Sequence, residues 1–307
     1  MADTIVSGAD SKYFPLLLGL INSIRDQHSL NHFDICIIDA GLSPENKRQL
    51  DKLGVRHIDV SLIKNIDVNT IRIKKNHHGY MSVVRPHLGD ICKEYENVIY
   101  LDADTWVQTD QAFNYLITAA NNHKLGIVSQ ASRLHRTMIT LKTNPFLHMI
   151  GLATPRGILY KNARRARLPY HMCKNLLGRA VLNSGVFSLK TNAEHWHHWK
   201  YWQKKCIEYG RFFTSDQLSL AIAVDSEGLS VELLPDICNY MPQHGRYRYD
   251  RKLQQFTDKY IPYTPISIMH MAGVKGKLDP HKRVDCGDEN DKFLEVELNH
   301  KSLYKEE

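Results

Sequence analysis

Two carboxylates, Asp102 and Asp104, stand one residue apart where the apolar run Val98-Ile99-Tyr100-Leu101 ends, with Ala103 between them. If the strand closes in a turn that brings both to one side, they can share a hard cation such as Mg²⁺ or Mn²⁺. Such ions bind carboxylate oxygen and complete their shell with phosphate oxygens. A cation held there stabilises the charge that builds on a departing diphosphate. The plainer alternative is that the pair caps the turn and does nothing more. His270, after Ile266-Ser267-Ile268-Met269, can ligate a metal through a neutral imidazole nitrogen, or be an ordinary satisfied histidine.

Other residues bring chemistry of their own. Asp10 and Tyr13 follow the first apolar strand, and a carboxylate with an aromatic face suits a flat base, although Tyr13 can equally pack within the first helix. Arg85 can bind anionic oxygen or snorkel from a helix surface. Asn183 offers donor and acceptor to sugar hydroxyls, and Gly185 lets backbone approach a ligand unless it marks a β-bulge. Lys275 and Lys277 can neutralise phosphate from a loop, or be solvated charges. In the run His195-Trp196-His197-His198-Trp199, only His195 and His198 have the helical spacing to share an ion, and aromatic packing at a helix surface is the preferred reading.

To position these residues the chain alternates short β-rich runs with helical patterns. Thr4-Ile5-Val6 precedes a helix through Leu16, Leu17, Leu20, Ile21 and Ile24, and a strand Phe33 to Ile38 follows. Ser43 and Pro44 open a helix that Gly54 ends, a strand runs from Val55 to Val60, and a helix from about Met81 to Tyr95 precedes the Asp102 strand. This order predicts an α/β fold with a largely parallel sheet flanked by helices, with ligands beyond the carboxyl ends of the strands, where Gly8-Ala9-Asp10 and Asp102-Ala103-Asp104 both fall. Periodicity weakens over 131–179, which reads as a basic insertion. Regular structure returns with a strand over 180–189, helices over 192–209 and 215–224, and a strand over 230–234. The residues after Asp279 read as a charged tail, dividing the chain into a domain over 1–277 and a tail over 278–307.

The 307 residues, 43% of them hydrophobic, suffice for a full core. No run approaches the length of a membrane span, and Met1-Ala2-Asp3-Thr4 lacks a signal-peptide layout, so a cytosolic protein without a transmembrane segment is expected. Six scattered cysteines form no C-x-x-C pair and are expected to be reduced and structural. A formal charge of +7 points to an anionic partner. Arg133, His135, Arg136, Lys142, Lys161, Arg164, Arg165, Arg167, Lys174 and Arg179 concentrate that charge in the insertion.

Taken in order, these residues resemble glycosyltransferase family 8, which includes glycogenin and bacterial lipooligosaccharide galactosyl- and glucosyltransferases. Val98 to Val107 resembles the family's D-x-D region, Ala9-Asp10-Ser11-Lys12-Tyr13 its A-x-D-x-x-Y segment, and Leu182 to Phe187 its N-x-G strand. Arg85, seventeen positions before Asp102, stands where the family has a donor-contacting Arg or Lys. Ser215-Asp216-Gln217 matches the acid-Gln pair, and His270-Met271-Ala272-Gly273 the C-terminal H-x-x-G. The resemblance spans 4–277 and implies a GT-A fold and a retaining transfer of a hexose, glucose or galactose, from a UDP-sugar to a hydroxyl acceptor. It implies Mn²⁺ or Mg²⁺ held by Asp102, Asp104 and His270, with the base held by Asp10 and Tyr13. It places Arg85, Asn183, Asp216 and Gln217 around the sugar, and Gly8, Ala9, Ala103, Ser184 and Gly273 complete the donor-binding set. Asp216 is the nearest candidate nucleophile, although a departing phosphate that assists the acceptor needs none. One departure stands out: the family's diphosphate Lys lies six residues after the His, and here that position is Gly276, between Lys275 and Lys277.

A haloacid-dehalogenase-type phosphatase is the rival reading, since Val98 to Thr105 also resembles its nucleophile strand and Cys286 to Asp291 its distal acidic motif. Trp106 stands where that motif wants Thr or Val, and three strand–helix units precede a strand that usually opens the phosphatase domain. A nucleic-acid-binding module would account for the charge but leave the acidic triplet unexplained. The basic insertion lies between the D-x-D and N-x-G elements, where the resemblance places acceptor-contacting structure. The acceptor is therefore expected to be anionic, such as a phosphorylated lipopolysaccharide core or another membrane-surface glycan, with the protein peripheral at the inner face of a membrane.

Overall fold

The computed structural model describes residues 2–59, 80–131, 139–142, 154–211, 214–242, 247–287 and 293–301. In chain order the elements begin with β1 (Thr4–Ala9), α1 (Phe14–Arg25), β2 (Asp34–Asp39), α2 (Pro44–Lys52) and β3 (Arg56–Asp59). Next come α3 (Tyr80–Val84), a 3₁₀ turn (Arg85–His87), α4 (Leu88–Ile91), β4 (Asn97–Leu101), β5 (Thr105–Val107), α5 (Gln111–Asn121) and β6 (Leu125–Ser129). The middle holds β7 (Ile139–Lys142), β8 (Thr154–Gly157), α6 (Ile158–Arg165), α7 (Tyr170–Asn175), β9 (Leu182–Lys190), α8 (His195–Tyr209) and α9 (Ser215–Asp225). The chain continues with β10 (Val231–Leu233), β11 (Tyr247–Asp250), β12 (Gln255–Asp258), β13 (Ile268–His270), β14 (Arg283–Gly287) and β15 (Phe293–Glu297).

The main sheet has the order β10-β6-β9-β4-β1-β2-β3. It is mixed but mainly parallel, because β9 alone runs against its neighbours β4 and β6. Alternation along β1 explains the layering. Ile5 faces one apolar layer with Leu17, Leu20 and Ile21 of α1 and Phe113 and Leu116 of α5. Val6 faces the other, with Val84, Leu88, Trp196 and Trp199. Each such side chain, fully withdrawn from water, contributes about 1.5–3 kcal/mol. Trp196 and Trp199 stack at 5.9 Å between ring centres, so the aromatic packing is present but lies in the core rather than at the helix surface that the sequence suggests. Helix α2 starts where Ser43 and Asn46 exchange side-chain bonds in a capping box.

Two expectations need correction. The helix over 81–95 is broken, because Pro86 disfavours α geometry at Arg85, and the chain tightens into 3₁₀ there. The stretch after Asp279 is not simply a charged tail, since β14 and β15 pair with each other and join β11 and β12 in a four-stranded sheet. Cys286 and Leu298 are buried there with Trp106 and Phe256, and the Trp106 indole donates to the Leu298 carbonyl at 3.0 Å. Within the basic stretch, α6 and α7 seat Leu159, Ala163, Ala166, Met172 and Leu176 against Cys206, Leu218 and Ile222 of α8 and α9. Arg133, His135 and Arg136 lie outside the described residues. Among the described residues all six cysteines are free thiols and buried, and no helix is long and apolar enough to cross a membrane.

Candidate active site

The Asp102 strand ends in the turn that the pair of carboxylates requires. The Thr105 amide and hydroxyl both donate to the Asp102 carbonyl, at 3.0 and 2.7 Å, and the chain reverses into β5. Strand β13 pairs antiparallel with β5 and sets His270 opposite Thr105, while the Met271 amide donates to the Asp104 carbonyl at 2.8 Å. Two segments about 165 residues apart are thereby fixed side by side. His270 Nε2 lies 3.7 Å from an Asp102 oxygen and 3.4 Å from an Asp104 oxygen. One ligand atom from each of the three residues lies within 4.8 Å of the others.

The donor set fits a divalent cation. Neighbouring ligands of one octahedral ion at about 2.1 Å stand about 3 Å apart, close to the observed separations. The tautomer fits as well. His270 Nδ1 lies 2.8 Å from Asn239 Oδ1, an acceptor, so Nδ1–H donates there and Nε2 is the ring nitrogen left facing the carboxylates, the atom that would ligate an ion. Asn239 is buried after a single turn of 3₁₀ helix, Asp236–Cys238, and its neighbour Tyr240 bonds both flanks of β13. Gly185 completes the enclosure. A Cβ there would stand 2.3 Å from His270 Cε1 and 2.7 Å from Asp102 Oδ2, so its bareness admits the ligand side chains themselves.

Each aspartate also meets a cation of the chain. Arg85, buried at 7% exposure, binds Asp102 through Nη2 and Asp216 through Nη1 at 2.5 Å, and its guanidinium lies 4.9 Å from the centre of the Tyr100 ring. Tyr100 donates to Asp102 at 2.9 Å, and Ser184 donates to Asp216 at 2.7 Å. Burial pushes the Tyr100 phenol well above its usual range, keeping it a donor. Lys277 binds the other Asp104 oxygen at 2.5 Å, and its Nζ stands 5.1 Å from the centre of the Tyr13 ring. Burial works to raise the Asp104 pKa, yet His270 and Lys277 hold the carboxyl well below the usual carboxylate range.

The two lysines occupy different surroundings. Gly276 adopts φ +71°, a left-handed turn that a lysine would enter only under strain, and the next residue, Lys277, returns to Asp104. Lys275 is exposed. Asp10 accepts from the Tyr13 amide at 3.0 Å in the turn before α1, while the half-buried Tyr13 ring packs on the core. Gly8 makes room for Met81, whose sulfur would stand 2.5 Å from an added Cβ. Ala9 and Ala103 are buried, Gln217 is half-buried, and Gly273 is exposed at φ +70°. Asn183 uses its amide inside the protein: Oδ1 accepts from the Gly185 amide at 2.9 Å and Nδ2 meets Met241 Sδ. Reading the sequence alone missed Asn239, which has no motif of its own.

This architecture, a mixed α/β sheet with an Asp-x-Asp turn at a carboxyl edge, is the GT-A fold of glycosyltransferases. Residues 4–175 match the family model described as glycosyl transferase family 8, and the chain belongs to that family. Among solved structures it is similar to the bifunctional glycosyltransferase WbbM, at 16% identity and TM-score 0.56, covering 89% of this chain and 46% of that one. It is similar to the galactosyltransferase LgtC, solved with donor and acceptor sugar analogues, at 17% identity and TM-score 0.51 over 89% and 87% of the two chains. Mouse xyloside xylosyltransferase 1 gives 12% identity and TM-score 0.50, covering 88% and 97%. No match was found among curated proteins. The phosphatase alternative has no support from these matches, and Asp288 and Asp291, its proposed distal acids, lie outside the described residues.

Proposed function

We propose that this glycosyltransferase moves a hexose, glucose or galactose, from a UDP-sugar to a hydroxyl of a glycan acceptor with retention of configuration. The observation that carries the reading is the convergence of Asp102, Asp104 and His270 on one point, flanked by Arg85 and Lys277. A divalent ion held by those three residues, Mn²⁺ or Mg²⁺, supplies Lewis acidity toward the diphosphate. Lys277, whose Nζ stands between Asp104 and the Tyr13 ring, would neutralise the leaving phosphates. Asp10 and Tyr13, at the end of β1, receive the uracil. Arg85, Ser184, Asp216 and Gln217 border the hexose, with Arg85 holding Asp102 and Asp216 in fixed orientation. The acceptor is a membrane-surface glycan such as a lipopolysaccharide core, glycosylated at the inner face of the membrane.

A thermal-shift panel of nucleotide sugars with and without Mn²⁺ tests the reading. Stabilisation by a UDP-hexose only when metal is present supports it, and stabilisation by no nucleotide sugar overturns it.

Two residues give separate checks. Lys277→Met is expected to weaken UDP-hexose binding by roughly ten- to a hundredfold, the worth of one charge-assisted bond, while Lys275→Met changes it less than about twofold. Isothermal titration measures both, and equal effects would return the phosphate role to an undivided loop. Asn239→Leu is expected to lower Mn²⁺ affinity by about ten- to a hundredfold, because the imidazole loses the acceptor that fixes its tautomer. Asn239→Asp keeps an acceptor at that atom and should retain most of the affinity in a Mn²⁺ titration followed by electron paramagnetic resonance.

A further inference from the structure

Between Asp110 and Glu194 the sequence contains no Asp or Glu, while twelve Lys and Arg residues fall in the same stretch. Its helical part, α6 and α7, is not a loose excursion. One side is seated on α8 and α9 through the apolar contacts described above, and Asn162 donates to the Thr214 hydroxyl at 3.2 Å, just before α9. The other side presents Arg164, Arg165, Arg167 and Lys174 to solvent. Helix α8 continues the same surface. Arg167, in the left-handed region at φ 56°, lays its guanidinium 4.7 Å from the centre of the Tyr209 ring. Tyr201, Lys205 and Tyr209 follow at four-residue spacing along one stripe, with Lys205 Nζ 6.0 Å from the Tyr201 ring. Glu208 is the single carboxylate of α8.

Exposed tyrosines stand among these cations, Tyr170 at 66%, Tyr201 at 51% and Tyr209 at 52%. A phenol ring with an apolar body and a polar tip, set among Lys and Arg, is the composition favoured at the boundary between water and lipid. A polyanion in solution would be held by the cations but would give those rings no apolar phase. We propose that the outward face of α6, α7 and the C-terminal half of α8 is a docking surface for an anionic lipid bilayer. The placement suits the reaction. Trp199 donates to the Asp216 carbonyl at 2.9 Å, and Tyr209 lies ten residues further along α8, about 15 Å along the axis. The proposed bilayer face is thus linked through α8 to the Asp216 side of the candidate active site. It rests on the proposed function in one respect: the docked surface presents the glycan acceptor.

Vesicle flotation of the full chain tests the proposal without donor or metal. The chain is expected to float with phosphatidylcholine vesicles that contain phosphatidylglycerol, to stay behind with phosphatidylcholine alone, and to be released by high salt. Arg164→Glu combined with Arg165→Glu and Arg167→Glu should lower binding by at least about a hundredfold. Tyr170→Ser with Tyr201→Ser should lower it by about tenfold, with the melting temperature of both variants near that of the parent. Absence of flotation, flotation that survives the arginine changes, or indifference to the tyrosine changes would overturn the proposal, the last in favour of a soluble polyanion. The salt dependence of the unaltered chain keeps the test valid if a variant misfolds. Flotation without any UDP-hexose stabilisation sinks the transferase reading alone, and stabilisation without flotation sinks this one alone.

Discussion

Asp104→Asn is expected to reduce hexosyl transfer by on the order of a thousandfold while leaving the chain folded. Asn keeps the shape of the side chain and one acceptor oxygen, so the fold loses only charge-assisted bonds. That loss is about 1–3 kcal/mol, the usual range for such contacts. The site loses more. Asp104 is 8% exposed and meets His270 and Lys277, so it is the carboxylate through which both C-terminal groups are gathered. Without its charge the three-residue set offers one carboxylate to a divalent ion, and Lys277 loses the anion that positions it. A Mn²⁺ titration by electron paramagnetic resonance and an initial-rate assay with UDP-hexose should move together, with circular dichroism unchanged. Undiminished Mn²⁺ affinity in a folded variant would remove Asp104 from the ligand set.

Arg85→Met is expected to be the most destabilising single change at the site, by about 3–5 kcal/mol. Its guanidinium bridges Asp102 and Asp216, and Asp216 is 1% exposed, so removing the cation strands a buried carboxylate without a counter-charge. At this chain length each kcal/mol corresponds to about 2–4 °C, so a drop of roughly 10 °C in Tm is expected. Adding Asp216→Asn to Arg85→Met removes the stranded charge and should recover part of the loss. If the double variant is no more stable than Arg85→Met alone, the cost lies in packing against Tyr100 rather than in charge.

Much of this was legible in sequence because the relevant forces are local. The alternation of Ile5 and Val6, the Ser43 cap and the apolar run before Asp102 each announce their element through a short-range pattern. His270 was found only because a family resemblance supplied its distant partners, since nothing near it in the chain says that β13 will pair with β5. Asn239 was missed for a related reason: its role depends on which atom of His270 faces it, a matter of tertiary geometry. The strands β14 and β15 did carry a signal. In Arg283-Val284-Asp285-Cys286 and Glu295-Val296-Glu297 polar and apolar residues alternate at period two, but the charge of the segment obscured it. Which of Lys275 and Lys277 meets Asp104 was not legible, because that contact depends on the backbone sign at Gly276.

The lone antiparallel strand has a consequence for synthesis. β10 pairs with β6 and β6 with β9, so β4 reaches them only through β9. A nascent chain that has emerged as far as Ser129 therefore carries β1 to β4 with the edge of β4 open, and β6 has no place beside it. More than fifty further residues must be made before Leu182–Lys190 can enter the gap. The same insertion brings Gly185 against Asp102 and Ser184 against Asp216, so the catalytic edge is sealed by the last strand to join β4. Until then the half-built sheet offers an unpaired edge to other chains, and a ribosome pause after β9 has emerged would protect it better than one before.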